Sequence, residues 1–429
     1  MTTTADTVAR ETGCIQRERC FTGSTLVQTL VFGWSDHPDA TLSQLAADAA
    51  LRGVTVHPQA IDQRFGPELA ACLAQLIGLG AQTIIAANEP VAIPLLERFR
   101  EVHIIDSTTI GLPDSAAEQW PGVGGHPGAS RAALKLSVQF DLRHGTLSGL
   151  LPSPGRMQDR ASPLQHAPLP PGSLRLADQG YFTLGTLDEI AAAGSYWIAR
   201  LPAHITVTPV NAARPDDLLA WLATQTDAAG IVDVPVLLGG CRLPARLLAW
   251  PVPPTVATQR QRKVQRKARK QGRTPTTDRL ARTEWTIVVT NTTQEQISPA
   301  EAQVLLRARW QIELLFKCWK QDGGLARSRS QQPWRLICEA LAKLLACLIT
   351  HWLVVIRGWE DPGRSHLQAA QVIRDRALLL LVALDGPRKF LAAIKQVLTG
   401  TNTGCRLTRR RKHPGTNQLL LDPSLGTLT

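Results

Sequence analysis

Apolar residues recur at spacings of three and four in two early stretches, SQLAADAALRG and PELAACLAQLIGLG, and this period predicts helices. TVHPQAIDQRF between them begins a third. Residues 1–98 therefore read as a helical region, either a plain bundle or a DNA-contacting helix-turn-helix. From residue 99 the pattern changes. VHIID (102–106) is a short apolar run ending in an acid, and ALKLSVQFDLRHGTLSGLLP (133–152) alternates around a hairpin turn at Arg143–Gly145. SLRLAD (173–178) is a second strand ending in an acid. The helical TLGTLDEIAAAG and the strand SYWIARLP (195–202) follow it.

Residues 203–283 interrupt this order. VDVPVLLGG and RLPARLLAWPVPP read as strands of a β-rich insertion, and EWTIVVTNT (284–292) then returns to the earlier pattern. The stretch 298–324, SPAEAQVLLRARWQIELLFKCWKQDGG, predicts one unbroken helix of about seven turns. Ser298, Pro299 and Glu301 form a capping box with proline at the first helical position, and Gly323–Gly324 supplies the stop. Leu305, Ala308, Ile312, Leu315 and Trp319 make its buried stripe. Residues 361–429 read as a helical, basic C-terminal region. Three antiparallel strands followed by a parallel strand–helix–strand unit match the mixed sheet of a ribonuclease-H-like domain. The expected fold is α/β: such a core at 99–202 and 284–360, interrupted at 203–283, with helical N- and C-terminal regions.

A hydrophobic fraction of 44% describes a folded globular chain. The net charge of +12 favours a polyanion partner, with an acidic membrane surface as the competing target. Much of it is concentrated in RQRKVQRKARKQGR (260–273), eight basic residues without an acid. If that tract is helical, Arg262, Arg266, Arg269 and Arg273 share a face, and phosphate contacts explain it better than a solvated loop. A second basic cluster is RLTRRRKH (406–413). The most apolar run, Leu336 to Ile356, contains Glu339, Lys343 and His351 and reads as a buried helix, not a membrane span. The N-terminus lacks the apolar core of a signal peptide, so the expectation is a protein without a membrane partner. The eight cysteines form no CxxC pair and no Cys/His metal spacing, which fits small core residues in a reducing cytoplasm. GVGGHPG (122–128) lacks the Gly-Lys-Ser/Thr of a phosphate loop.

Three acids stand out. Asp106 and Asp178 each end an apolar strand, and Glu313 lies on the capped helix. Such carboxylates repel one another at one end of a sheet unless divalent cations lie between them. Hard oxygen ligands of this kind select Mg2+ or Mn2+. A pair of ions ~3.5–4 Å apart could activate a water or a 3′-hydroxyl and stabilise the leaving oxygen. Arg309, Glu313 and Lys320, at offsets of four and seven, fall within an arc of about 40° on a continuous helix. The plainer alternative is a solvated face with an Arg309–Glu313 ion pair.

The order DST (106–108), ADQGYF (177–182) and ARWQIELLFKCWK (308–320) resembles bacterial DDE transposases of the IS-four family. The resemblance spans about residues 20–360 and implies a ribonuclease-H-like core split by a β-strand insertion before the catalytic glutamate. The family signature is Tyr, two residues, Arg, three residues, Glu, six residues, Lys. Arg309, Glu313 and Lys320 fit it, while Leu306 stands at the tyrosine position. By resemblance Asp106, Asp178 and Glu313 are the catalytic metal ligands, for two Mg2+ or Mn2+ ions. Arg309 and Lys320 would hold phosphates of the element's terminal DNA. Trp285 matches the family position that stacks on a flipped base, the alternative being a strand-start core residue; Trp310 reads as packing. The implied partners are double-stranded DNA, as element ends and target, and a second copy of the chain in the DNA complex. The implied place is the bacterial cytoplasm, at the nucleoid. A catalytically impaired relative acting as a DNA-binding protein is the alternative function. A glycosidase built on an Asp/Glu pair would leave the basic tract unexplained.

Overall fold

A computed structural model describes residues 2–83, 85–124, 130–215 and 217–426; residues 125–128 of the glycine-rich GVGGHPG stretch lie outside them. The chain opens with α1 (Thr2–Glu11), α2 (Gly23–Asp36), α3 (Leu42–Ala50), α4 (Pro58–Asp62), α5 (Pro67–Gln82) and the short α6 (Pro94–Glu97). Strands β1 (Val102–Leu112), β2 (Ala132–Asp141), β3 (Leu147–Pro154) and β4 (Leu174–Ala177) precede α7 (Leu184–Ala192) and β5 (Tyr196–Arg200). Next come β6 (Val207–Pro209), α8 (Leu218–Thr224), β7 (Val232–Leu238), β8 (Leu243–Pro251), α9 (Pro254–Lys270), α10 (Thr277–Ala281) and β9 (Trp285–Thr290). Helices α11 (Pro299–Ala308), α12 (Trp310–Gln321) and α13 (Pro333–Ile356) follow. The chain closes with α14 (His366–Arg374), α15 (Ala377–Ala383), α16 (Pro387–Gly404) and α17 (Thr416–Leu421). These elements form two compact units. One takes Met1–Ala92, Asp106–Gln158 and Gln311–Thr408, the other Ile93–Ile105, Asp159–Trp310 and Arg409–Thr429.

In the first unit the strands follow the order β3-β2-β1, with β2 antiparallel to β3 from Leu134↔Pro154 to Phe140↔Leu147. The turn between them needs Gly145: its φ is 72°, and an added Cβ would lie 2.7 Å from the Trp359 ring. Helix α13 is long and apolar enough to cross a membrane, yet it is buried at nearly every position from Leu336 to Val355. Its internal pair, Lys343 Nζ to Glu339 at 2.6 Å, is satisfied further by the carbonyls of Gly324 and Arg327. It is a core helix, as its charged positions predict.

Two buried histidines in this unit give stability a pH dependence. His351 Nε2 lies 2.6 Å from the Gly145 carbonyl oxygen, and the His366 ring stacks on Trp359 at 4.1 Å. Burial pushes both imidazoles down to about 4; the Gly145 carbonyl opposes this for His351, and the His351 and Arg364 charges add to it for His366. In the unfolded chain both would titrate near about 6.5. The folded values are the lower ones, so the unfolded chain binds more protons between the two. The stabilisation is complete above about pH 6.5 and is lost as pH falls toward about 4. The thermal unfolding midpoint should drop across that window, and His366→Phe, which keeps a ring on Trp359, should make the drop shallower. Equal slopes for the two proteins would remove His366 from the account.

In the second unit the sheet order is β1-β4-β5-β9-β8-β7-β6. The β1–β4 and β4–β5 pairs are parallel, and α7 is the crossover between β4 and β5. The remaining neighbours are antiparallel. Leu187, Ile190, Trp197, Ala199, Leu201, Leu247 and Val289 pack together on one face. The strands at 203–283 are not a separate sheet: β8 pairs with β9 from Arg246↔Thr290 to Pro251↔Trp285, so they extend the core sheet outward.

Two sequence expectations change. Strand β1 does not end at Asp106 but runs six residues further, because STTIGL keeps the β-branched alternation that suits a pleated surface. The capping box at Ser298 and Glu301 forms, yet the helix is not continuous: α11 stops at Ala308 and α12 begins at Trp310. Neither proline nor glycine stands at the break. It falls where the chain passes from the second unit, ending at Trp310, to the first, resuming at Gln311.

Candidate active site

The β1–β4 ladder sets the register of the first two acids. Its last rung is Ile105↔Ala177, and the next residues in sequence are Asp106 and Asp178. Each therefore follows the same rung of two neighbouring parallel strands. Asp106 is half-buried and its Oδ1 accepts from the Ser107 N–H at 2.8 Å. Asp178, also half-buried, begins a short helical turn whose Tyr181 N–H donates to its carbonyl oxygen at 3.0 Å. Its carboxylate makes no capping bond to that turn.

Glu313 is half-buried in the first turn of α12, in the same unit as Asp106. Helix α12 is tied to β1 by its lysine: Lys320 Nζ donates to the Thr109 carbonyl oxygen at 2.7 Å. Glu313 precedes Lys320 by about 10 Å of helix, and Asp106 precedes Thr109 by about 10 Å of strand. Burial pushes the Lys320 amine down from its usual value. One of its three N–H donors is spent on the backbone, leaving two for an anion. Ile312, Phe316 and Trp319 hold the inner face of α12, while Leu315 is only half-buried.

Arg309 caps α11 and keeps right-handed helical dihedrals, φ −51° and ψ −31°. Leu306, where the resemblance expects tyrosine, is half-buried one turn earlier. Trp285 opens β9 with its ring packed against the second unit's core. Trp310 does not pack as its sequence context suggests. It is 53% exposed, two residues from both Ala308 and Ile312 of the buried stripe and so on the far side of the helix from them.

The basic tract is helical through Lys270. Ala257 and Ala268 are buried on the inner face of α9, and Arg262, Arg266 and Arg269 are exposed on the outer one. Arg273 does not share that face. Gly272, at φ 65°, turns the chain out of the helix, and the Arg273 N–H closes back on the Ala268 carbonyl at 2.9 Å.

Three more arginines of the second unit bear on the site: Arg200 feels the Asp178 charge, Arg260 feels that of Arg200, and Arg282 donates to the carbonyls of Leu201 and Pro202. Only Arg200 left a trace in the sequence, as a charge closing the apolar SYWIAR strand; Arg260 belongs to the basic tract but not to its outer face. Burial and the Arg309 charge push Arg200 down from the usual guanidinium value, and Asp178 opposes them.

Among the described residues, no three His, Cys, Asp or Glu side chains are gathered into a preformed metal cage. Asp106 and Glu313 lie in the first unit and Asp178 in the second. The donor set itself suits a hard divalent ion: carboxylate oxygens, partly open to water, with no thiol or imidazole among them.

The family described as "Transposase DDE domain" matches residues 97–349, from just before β1 into α13. The transposase of insertion sequence element IS231F from Bacillus thuringiensis subsp. israelensis is 25% identical, over 89% of this chain and 84% of its own. That of IS231D from the subspecies finitimus is 23% identical, over 95% and 89%. That of IS1151 from Clostridium perfringens is 24% identical, over 81% and 77%. A match over more than half the chain, enclosing every described strand and all three acids, is decisive: this chain belongs to the DDE transposases, metal-dependent enzymes that cut and join DNA.

Proposed function

We propose that this transposase binds the terminal inverted repeats of an insertion sequence, hydrolyses the DNA at each end and joins the freed 3′-hydroxyls to target DNA. The observation that carries the reading is the common rung of β1 and β4, Ile105↔Ala177, after which Asp106 and Asp178 come next in sequence. With Glu313 from α12 they are the residues that would hold two divalent ions. Such ions would activate the attacking water or 3′-hydroxyl and stabilise the leaving 3′-oxygen. The chain's own part is positioning. Arg309 and Lys320 hold strand phosphates on either side of Glu313, Trp285 offers its open edge to an unpaired base, and the outer face of α9 follows the duplex backbone. Two copies of the chain, one at each element end, would bring the ends together at the nucleoid.

The test is nicking of duplexes made from the DNA flanking the gene. Cleavage at one position in Mg2+ or Mn2+, abolished by chelation, is expected. Salt-sensitive binding without any cleavage would leave a DNA-binding protein that has lost its chemistry.

Leu306 provides a separate check. A tyrosine hydroxyl there would reach toward the strand that Arg309 holds, one turn away. Leu306→Tyr should tighten end-DNA binding or speed nicking by the worth of one hydrogen bond to a charged group, ~1.5–3 kcal/mol at most. Nicking rate measured against end-DNA concentration separates the two effects. No gain would make Leu306 a packing residue of a transposase that does without the hydroxyl.

A further inference from the structure

Arg200 and Arg260 come close enough for their charges to act on one another at the end of β5, and Arg282 reaches the chain just beyond that strand. Arg200 is the last residue of β5, exposed, and its Cα pairs with that of Val288 in β9. Side chains directly opposite one another share a face, and so do residues two apart along a strand. Thr286 therefore lies on the Arg200 face. Arg260 comes to it from α9, its guanidinium donating to Thr286 Oγ1 and to the Trp285 carbonyl oxygen, each at 3.1 Å. Arg282 donates to the carbonyls of Leu201 and Pro202 at 3.4 and 3.5 Å.

The group is short of negative charge. Among the described residues no carboxylate forms an ion pair with Arg200, Arg260 or Arg282. Burial pushes Arg260 and Arg282 down from the usual guanidinium value, and the Arg200 charge lowers Arg260 further. Like charges held together at this cost are relieved by an anion placed among them. The carbonyl bonds fix Arg260 and Arg282 in place and use only some of each guanidinium's five N–H donors. A planar fork with free N–H groups suits a phosphate better than a point charge does.

We propose that Arg200, Arg260 and Arg282 form a seat for a single DNA phosphodiester next to the linkage that is cut, with Arg200 as its open, substrate-touching member. This deepens the cutting and joining reading and rests on it for the identity of the strand. The seat differs from the outer face of α9. There the arginines are solvated and follow any backbone; here they are anchored, and they hold one phosphate in register with Asp178.

The experiment uses the full chain and end duplexes that carry one neutral methylphosphonate linkage, moved a step at a time. For the wild type, one linkage near the cut should lower the nicking rate at least tenfold. Arg200→Gln should show the same loss on unmodified DNA and no further loss at that linkage alone. Arg200→Lys should recover part of the rate. Thermal unfolding midpoints check that the variants are folded, and Arg260→Gln offers a second route to the same linkage if Arg200→Gln is not. A variant that nicks like the wild type overturns the seat, and so does one slower but equally sensitive to every linkage. If the wild type binds without cutting, the cutting reading fails; the seat is then judged by whether one linkage controls affinity in the wild type and not in Arg200→Gln.

Discussion

Asp178→Asn abolishes metal-dependent nicking of end DNA while leaving binding intact or slightly tighter. The loss should reach on the order of a thousandfold or more, the scale at which removing one member of a catalytic group acts. Asparagine keeps the shape of the side chain, and Asp178 makes no capping bond that the fold would miss. What changes is charge. A neutral amide is a poor ligand for a hard divalent ion, and it no longer repels the incoming phosphate. Removing the acid that acts on Arg200 also leaves more positive field at the end of β5, which is why affinity should not fall. Rates in Mg2+ and binding in its absence, measured on one duplex, distinguish the two properties. Residual nicking within tenfold of the wild type would take Asp178 out of the metal site.

Replacing Arg262, Arg266, Arg269 and Arg273 together with glutamine weakens binding to every DNA sequence. The slope of log affinity against log salt becomes shallower by about 0.9 for each DNA phosphate that is no longer neutralised. Three of these arginines lie on the exposed face of α9, so most of the change should come from them; Arg273, past the Gly272 turn, should contribute separately. Glutamine is nearly as good a helix former as arginine, and the inner face at Ala257 and Ala268 is untouched, so circular dichroism should be unchanged. An unaltered salt slope would make the tract a solvated surface.

The elements most easily read from the sequence were those whose signals are local. The strand at SLRLAD, the hairpin turn at Gly145 and the capping box at Ser298 each depend on a few neighbouring residues, and each is found in place. Signals of longer range were missed. Nothing in VHIID indicates that β1 continues through STTIGL, beyond its rungs with β4 and beside β2. The break at Arg309 is invisible to a period-3.6 pattern that passes through it without interruption. The candidate site divides the same way. Asp106, Asp178 and Glu313 could be picked out as acids closing apolar runs, by helix spacing and by family likeness. The Arg200–Arg260–Arg282 group could not, since its members come from a strand end, the middle of a helix and a short turn, and only the antiparallel β5–β9 register puts Arg200 on the face of Thr286, which Arg260 reaches.

Each unit is assembled from three separated stretches of chain, and this sets a timetable for synthesis. The first unit needs residues up to Thr408 and the second needs residues up to Thr429. At about 5–20 residues per second a ribosome would spend roughly twenty to ninety seconds on the chain before either unit had all its parts. A reading-frame error anywhere before residue 408 leaves both units incomplete.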